Sequence, residues 1–123
     1  MKAGSNDFYQ KVYEVVAQIP EGKVTSYGAI SRYLGVASGA RMVGYALNNY
    51  LAADLGYHVP AHRVVNRLGQ LTGRAYFGDD TMRERLEQEG VSFTEPYTVD
   101  MSQHFLGFQH FPTRLGARDF LGP

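Results

Sequence analysis

Residues 25–51 read Thr25-Ser26-Tyr27-Gly28-Ala29-Ile30-Ser31-Arg32-Tyr33-Leu34-Gly35, then Val36-Ala37, then Ser38-Gly39-Ala40-Arg41-Met42-Val43-Gly44-Tyr45-Ala46-Leu47-Asn48-Asn49-Tyr50-Leu51. Thr25 and Ser26 are good caps, because a hydroxyl oxygen can accept an N–H that the first turn leaves unpaired. They open a short helix through Ile30 and Leu34, and Gly35 is placed to close it in the left-handed conformation. Ser38 is expected to cap a second helix carrying Val43, Ala46, Leu47 and Leu51 on one side. Two short helices joined by a few residues that include glycine read as helix-turn-helix, whose second helix is presented to DNA. Spacing alone leaves an ordinary pair of core helices open.

Upstream, Phe8, Val12, Val15, Val16 and Ile19 recur at helical spacing behind Ser5, Asn6 and Asp7, any of which suits the start, and Pro20 with Gly22 ends the pattern. Downstream the period changes. His58-Val59-Pro60 is expected to be extended, since a residue before proline is pushed out of the helical region, and Arg63-Val64-Val65 is β-branched. Asn66-Arg67-Leu68-Gly69 reads as a hairpin turn into Gln70-Leu71-Thr72, giving a two-stranded wing. Asp79 or Asp80 is expected to cap a last helix with Met82, Arg83, Leu86 and Glu89, which Gly90 ends before the extended Val91-Ser92-Phe93. The expected class is mainly α with a small β wing. Residues 1–97 form the expected domain, and 98–123 an extension whose scattered Phe and Leu lack a period. A packed extension, a disordered end and an artificial tail all remain open there.

At 123 residues the chain suits one domain and one site. No apolar run is long enough to cross a bilayer, and the start lacks the features of a secretory signal, so no membrane association is expected and the protein is read as cytoplasmic, or nucleoid-associated if bacterial. Cysteine is absent. That excludes disulfides, thiolate metal sites and every mechanism in which a cysteine is nucleophile or acceptor. Net charge is zero, yet residues 22–78 hold Lys23, Arg32, Arg41, Arg63, Arg67 and Arg74 against the single acid Asp54, a net of +5. Such asymmetry is the footprint expected of a nucleic-acid binder, though a solvated face would look the same. His58 and His62 have the i, i+4 spacing of a zinc pair, but Pro60 breaks the helix between them and no third ligand follows, so neither metal nor cofactor is expected. Hydrolase elbows, phosphate loops and dinucleotide fingerprints are also missing.

Three separated segments, Gly22-Lys23-Val24-Thr25-Ser26-Tyr27-Gly28-Ala29-Ile30, Gly39-Ala40-Arg41-Met42-Val43-Gly44-Tyr45-Ala46-Leu47 and Val59-Pro60-Ala61-His62-Arg63-Val64-Val65, resemble in order and approximate spacing the DNA-binding, active-site domain of the O6-alkylguanine-DNA alkyltransferases. Leu86 to Gly90 looks like that family's closing helix, so the resemblance covers roughly Phe8 to Phe93. It implies a winged helix-turn-helix domain that turns a damaged guanine out of the duplex. In the family the third segment reads Pro-Cys-His-Arg-Val, and a thiolate activated by histidine and a buried glutamate takes the alkyl group. Ala61 stands at that acceptor position. A methyl side chain has no lone pair with which to attack carbon. The combination resembles the alkyltransferase-like members, which bind alkylated guanine without repairing it and, the resemblance implies, flag it for nucleotide excision repair proteins. A monomer on double-stranded DNA is the expected working form.

The resemblance also assigns residues. Arg41 matches an arginine finger that fills the vacated stack, and Tyr27 a tyrosine that helps rotate the flipped nucleotide's phosphate. Flipping costs a few kcal/mol of unstacking and unpairing, so both tasks are needed. Gly39, Ala40, Gly44 and Ala46 are expected to keep the second helix slim for a narrow groove. Lys23, Arg32, Arg63 and Arg67 are phosphate-contact candidates, with a bracing role also implied for Arg63. Tyr27, Pro60, Ala61, His62, Arg63 and Val64 form the expected lesion pocket. His62 and Glu89 match the activating pair and, with no thiol to activate, are expected to persist as a buried hydrogen-bonded pair. The chain departs from the family in three places. The separate N-terminal domain has no counterpart, the Asn48–His58 link is longer than the usual Asn-Pro connection, and Leu71-Thr72-Gly73-Arg74-Ala75-Tyr76-Phe77 replaces a Tyr-Ser-Gly-Gly loop. Two rival readings are a sequence-specific winged-helix regulator and an alkyltransferase whose acceptor Cys has been mutated to Ala.

Overall fold

The computed structural model describes residues 3–36, 38–53 and 59–107; His58 of the expected extended stretch, with residues 54–57 of the longer link, lies outside the described residues, as do residues 108–123. Helix α1 (Ala3–Val16) already includes Ser5, Asn6 and Asp7, so the start falls ahead of the caps expected from sequence. Its apolar stripe, Val12, Val15 and Val16 with Tyr13, is buried, and Ile19 follows it into the core just beyond the helix end. The Tyr13 hydroxyl donates to the Ala46 carbonyl at 2.8 Å and accepts from Asn49 Nδ2 at 3.1 Å, which ties α1 to α3 (Ala40–Ala53).

The helix pair is built as its local chemistry predicts, with one shift. Ser26 Oγ accepts the Ala29 N–H at 3.1 Å and caps α2 (Tyr27–Tyr33); Gly35 closes the helix at φ +82°. Helix α3 begins at Ala40, which puts Gly39 in the cap position, one residue beyond the expected Ser38. The buried Ser31 explains the shift: its hydroxyl bonds the Val36 carbonyl and accepts the Gly39 N–H at 2.9 Å, so a side chain of α2 fixes the entry to α3. Val43, Ala46 and Leu47 then bury against α1 and α2.

Two corrections concern the wing. Arg63, expected to open a strand with Val64 and Val65, instead ends a 3₁₀ turn, Ala61–Arg63, and β2 (Val64–Val65) pairs in parallel with β1 (Thr25–Ser26), not with Gln70-Leu71-Thr72. Asn66 does form the tight turn: its Oδ1 accepts the N–H groups of Leu68 and Gln70 at 3.0 and 2.8 Å, and Gly69 adopts φ +88°. Past the turn, however, the Leu71 N–H goes to the Tyr97 carbonyl and Gln70 bridges Thr98. The strand-like stretch therefore joins a second, antiparallel pair, β3 (Phe93–Glu95) with β4 (Thr98–Val99). Long-range pairing has displaced the local hairpin.

The boundary expected at Tyr97 consequently falls inside this hairpin. After β4 comes the short α5 (Met101–His104), whose end docks onto the chain before β1: Val24 donates to the His104 carbonyl at 2.9 Å and Leu106 donates to the Val24 carbonyl at 2.7 Å. The His104 ring lies between the Gly22 carbonyl (2.9 Å from Nδ1) and Ser92, whose N–H and hydroxyl are both 3.0 Å from Nε2. Alternation along β2 splits the interior in two. Val64 joins the core of α1–α3, and Val65 joins a second core of Val24, Leu71, Met82, Leu86, Val91 and Val99 beneath α4 (Thr81–Gln88). Asp80 holds the N-cap position of α4 without a cap bond, because its carboxylate accepts the Tyr97 hydroxyl instead.

Candidate functional site

Ala61 and His62 sit on the 3₁₀ turn that follows Pro60, immediately before β2. Parallel pairing of β2 with β1 brings this turn and the start of α2 into one neighbourhood, so residues far apart in sequence share a site. Ala61 is 5 % exposed and its methyl belongs to the core of α1–α3; Pro60 and Val64 are buried as well.

Behind Ala61 is a buried polar knot. The Glu89 carboxylate, at the end of α4, accepts from His62 Nε2 at 2.8 Å, Arg63 Nε at 3.0 Å and an Arg63 terminal nitrogen at 2.6 Å. The other terminal nitrogen of Arg63 donates to the Ile19 carbonyl at 2.6 Å. Arg63 is thus a two-sided brace between α4 and the end of the α1 segment. Of the two roles considered for it, phosphate contact is excluded by this commitment and by burial, at 8 % exposure.

Burial is the largest influence on His62 and pushes its pKa below 6.5, outweighing the opposing hydrogen bond and charge of Glu89. The ring is therefore neutral near pH 7. With its Nε2 proton on the carboxylate, Nδ1 is left as a buried acceptor with no partner among the described residues. For Glu89, burial raises the pKa, but hydrogen bonds from Arg63 and His62 together with their charges win, and the carboxyl stays below its ordinary 4.5.

Tyr27 opens α2 and touches both neighbours. Its ring faces Gly44 of α3, where an added Cβ would stand 3.9 Å from the ring, and its hydroxyl lies against Gly73 and hydrogen-bonds Thr72. Burial raises its pKa, the Thr72 bond opposing, so the phenol remains protonated and able to donate. Arg41, in the first turn of α3, is exposed and makes no ion pair or hydrogen bond among the described residues. Ala40 is exposed beside it. Gly39 is buried under Ser31 and Val36, and Gly44 faces inward to Tyr27, so neither glycine lies on the outer surface of α3. Arg67 projects from the Asn66 turn, Arg32 is exposed late in α2 and Lys23 is half-buried before β1.

The structure therefore brings Tyr27, Gly44, Thr72 and Gly73 into contact, and Ala61, His62, Arg63 and Glu89 into another group; Arg41 stands free on α3. Not anticipated from sequence are the stacking of Arg74 on the Tyr97 ring, 4.1 Å from its centroid, and the exposure of Met42 and Tyr45 beside Arg41. The signal for the latter was present. Both residues fall off the Val43/Ala46/Leu47 stripe.

Residues 7–91 match the family model described as the DNA-binding domain of 6-O-methylguanine DNA methyltransferase. The chain belongs to that family. Among its relatives, alkyltransferase-like protein 1 of Schizosaccharomyces pombe is 39 % identical over 107 residues, covering 86 % of this chain and 94 % of the relative. The DNA base-flipping protein of Escherichia coli is 37 % identical over 101 residues, 80 % of this family member and 74 % of the relative. A crystal structure of S. pombe Atl1 in complex with damaged DNA containing O6-carboxymethylguanine superposes with a TM-score of 0.71 at 37 % identity, covering 86 % and 98 % of the two chains. Mycobacterium tuberculosis OGT in complex with DNA gives 0.55 at 36 % identity, over 68 % of this chain and 49 % of that one. The mainly helical domain with small sheets is thus the family's DNA-binding architecture.

Proposed function

We propose that this protein binds O6-alkylguanine in double-stranded DNA, turns the damaged nucleotide out of the stack and leaves the alkyl group in place. The observation that carries the reading is Ala61. It occupies the position that the family resemblance gives to the acceptor cysteine, in a chain without any cysteine, yet it lies against an intact His62–Glu89–Arg63 knot. A pocket wall kept while its nucleophile is absent serves binding and not transfer.

The geometry supplies the other parts that flipping needs. Arg41 is an uncommitted planar cation that can stack in the vacated gap and hydrogen-bond the orphaned base. Tyr27, protonated and anchored between α3 and the Thr72–Gly73 segment, can donate to a rotated phosphate. The relatives named as a DNA base-flipping protein and as an alkyltransferase-like protein, and the Atl1 complex with damaged DNA, support the same reading. In this proposal the protein acts as a monomer in the cytoplasm, on the nucleoid if bacterial, and hands the marked lesion to nucleotide excision repair.

The test is a titration at fixed salt of a duplex carrying one O6-methylguanine and of its unmodified twin, with the methyl group assayed afterwards. Tighter binding to the modified duplex, with the methyl retained, is the expected result. Equal binding to both sinks the lesion reading in favour of a sequence-specific regulator, and loss of the methyl group sinks the non-catalytic one.

A further inference from the structure

Of the residues expected to slim α3 for a narrow groove, Gly39 and Ala46 are buried and Gly44 faces Tyr27; only Ala40 is exposed, and past Arg41 the outward arc carries the large side chains of Met42 and Tyr45. Helical geometry puts Tyr45 one turn from Arg41 on the same face, with Met42 beside them. Tyr45 is 54 % exposed and Met42 39 % exposed, two of the five large hydrophobic side chains exposed among the described residues. Val43, Ala46 and Leu47 are buried on the opposite side and fix the rotation of α3, so this arc cannot roll into the core. Exposing so much apolar surface to water has no benefit to the isolated fold.

We infer that Met42 and Tyr45 form an apolar lip beside Arg41 that packs on the deoxyribose walls of the DNA minor groove and holds the groove open for the finger. The inference rests on the proposed function and extends it to two residues outside the family's assigned set. Three observations favour DNA as the occupant. The lip is continuous with the uncommitted cation Arg41; the arc from Ala40 to Asn49 carries no acidic residue; and it lies within the stretch of net charge +5. Minor-groove proteins use apolar side chains in this way, spending contact area on a widened groove. Side chains on a helix lean toward its N-terminus, so the Tyr45 ring approaches the Arg41 turn.

Sugar walls are the same whether or not a guanine is alkylated, and they are uncharged. Loss of the lip should therefore weaken both duplexes in parallel and leave the salt dependence alone. Loss of Arg41 should weaken the lesion duplex more and lower the slope of log K against log salt by about one. The experiment measures wild type, Tyr45→Ala, Met42→Ala, Arg41→Ala and the distant Phe105→Ala on the O6-methylguanine duplex and its unmodified twin across a salt series, with thermal melting and sedimentation of each protein. Tyr45→Ala is expected to lose roughly ten-fold on both duplexes, a change of about 1.4 kcal/mol. Met42→Ala should lose a smaller factor on both, and Phe105→Ala nothing. Should Tyr45→Ala melt early, Tyr45→Gln replaces it. Binding by the lip variants within two-fold of wild type overturns the inference, as does a wild-type dimer that Tyr45→Ala dissociates with DNA binding intact, since the arc would then serve a second copy. Wild-type protein that does not discriminate the two duplexes overturns the function itself, a result independent of the Tyr45 comparison.

Discussion

The knot around Glu89 and the outer arc of α3 treat charge in opposite ways. In the knot, a carboxylate, a guanidinium and an imidazole are almost wholly withdrawn from water, and Glu89 is met by three nitrogens within 3.0 Å. On the arc, Arg41 is left in solvent with no partner among the described residues and with apolar side chains for neighbours. The first region has its charges paired within the protein, the His62 Nδ1 acceptor alone lacking a partner among the described residues, and holds the pocket wall rigid; the second has no counter-charge among the described residues and is open to a polyanion. Mutations should separate the two, stability responding to one and affinity to the other.

The largest effect belongs to the knot. Removing the acid in Glu89→Ala leaves the buried Arg63 guanidinium beside a neutral imidazole, with the Ile19 carbonyl to accept from it and the exposed Glu21 carboxylate 4.0 Å away. Breaking a buried pair in this way costs about 3–5 kcal/mol, read as a fall in the urea midpoint. A loss comparable to that of an exposed ion pair, such as Arg83–Glu87, would mean that water reaches the knot and that the contrast is overdrawn.

Acid attacks the same region. The His62 pKa lies below 6.5 in the folded protein, so the unfolded chain takes up its proton first. Stability from the neutral ring is complete above pH 6.5 and declines as the pH falls from there toward the folded value. Glu89, whose folded value is below 4.5, adds a second decline in the same direction at lower pH. Urea unfolding at a series of pH values should show both steps in wild type and in Tyr45→Ala alike. His62→Gln should lose the upper step, and a curve unchanged by that substitution would remove His62 from the account.

Next in size is Gly39→Ala, at the join between the two helices. Its Cβ would stand 2.7 Å from Ser31 Oγ and 2.8 Å from Val36 Cγ1, atoms held by their own contacts, so the α2–α3 connection must shift at a cost of about 1–3 kcal/mol. Arg41→Ala should do the reverse. Melting should stay within about 0.5 kcal/mol of wild type because the side chain is exposed and makes no hydrogen bond or ion pair among the described residues, while affinity for the lesion duplex falls roughly ten-fold or more. An equal fall from Arg32→Ala would reduce the finger to general electrostatics.

How far these features could be read in the sequence depends on the range of the interaction. The Ser26 cap and the Gly35 stop are decided by residues within one turn, and both stand where local chemistry puts them. So does the inward stripe of α3, which follows from its period. What escaped was non-local. Val64–Val65 pair with Thr25–Ser26, and Gln70–Leu71 with the segment around Tyr97, because partners remote in sequence compete for the same edges; no local propensity records that. Arg63 shows the same limit at the site. Its charge alone made it eligible for a phosphate or for a brace; the family resemblance already favoured the brace, and the Glu89 carboxylate and the Ile19 carbonyl supply its two ends. The entry to α3 was missed by one residue for a related reason, since Ser31 in the preceding helix supplies the partner that Ser38 was expected to be.

Gly44 provides the smallest and most discriminating comparison. Read as sequence, it belongs with Gly39 and Ala40 as a residue that lets α3 approach DNA. In the structure an added Cβ would meet only the Tyr27 ring, at 3.9–4.0 Å, an ordinary contact. Glycine inside a helix costs up to about 1 kcal/mol relative to alanine, so Gly44→Ala should leave stability unchanged or raise it by up to that amount. Because the new methyl points at Tyr27 and away from Arg41, Met42 and Tyr45, affinity for both duplexes should stay within about two-fold of wild type, well under the tenfold that 1.4 kcal/mol represents. A stabilised protein that has lost lesion affinity would place Gly44 on the groove after all, or show that the Tyr27 ring must move into its space during flipping. The unmodified duplex separates these outcomes: a groove contact is lost on both DNAs, whereas a ring movement that accompanies flipping is lost only where there is a lesion to flip.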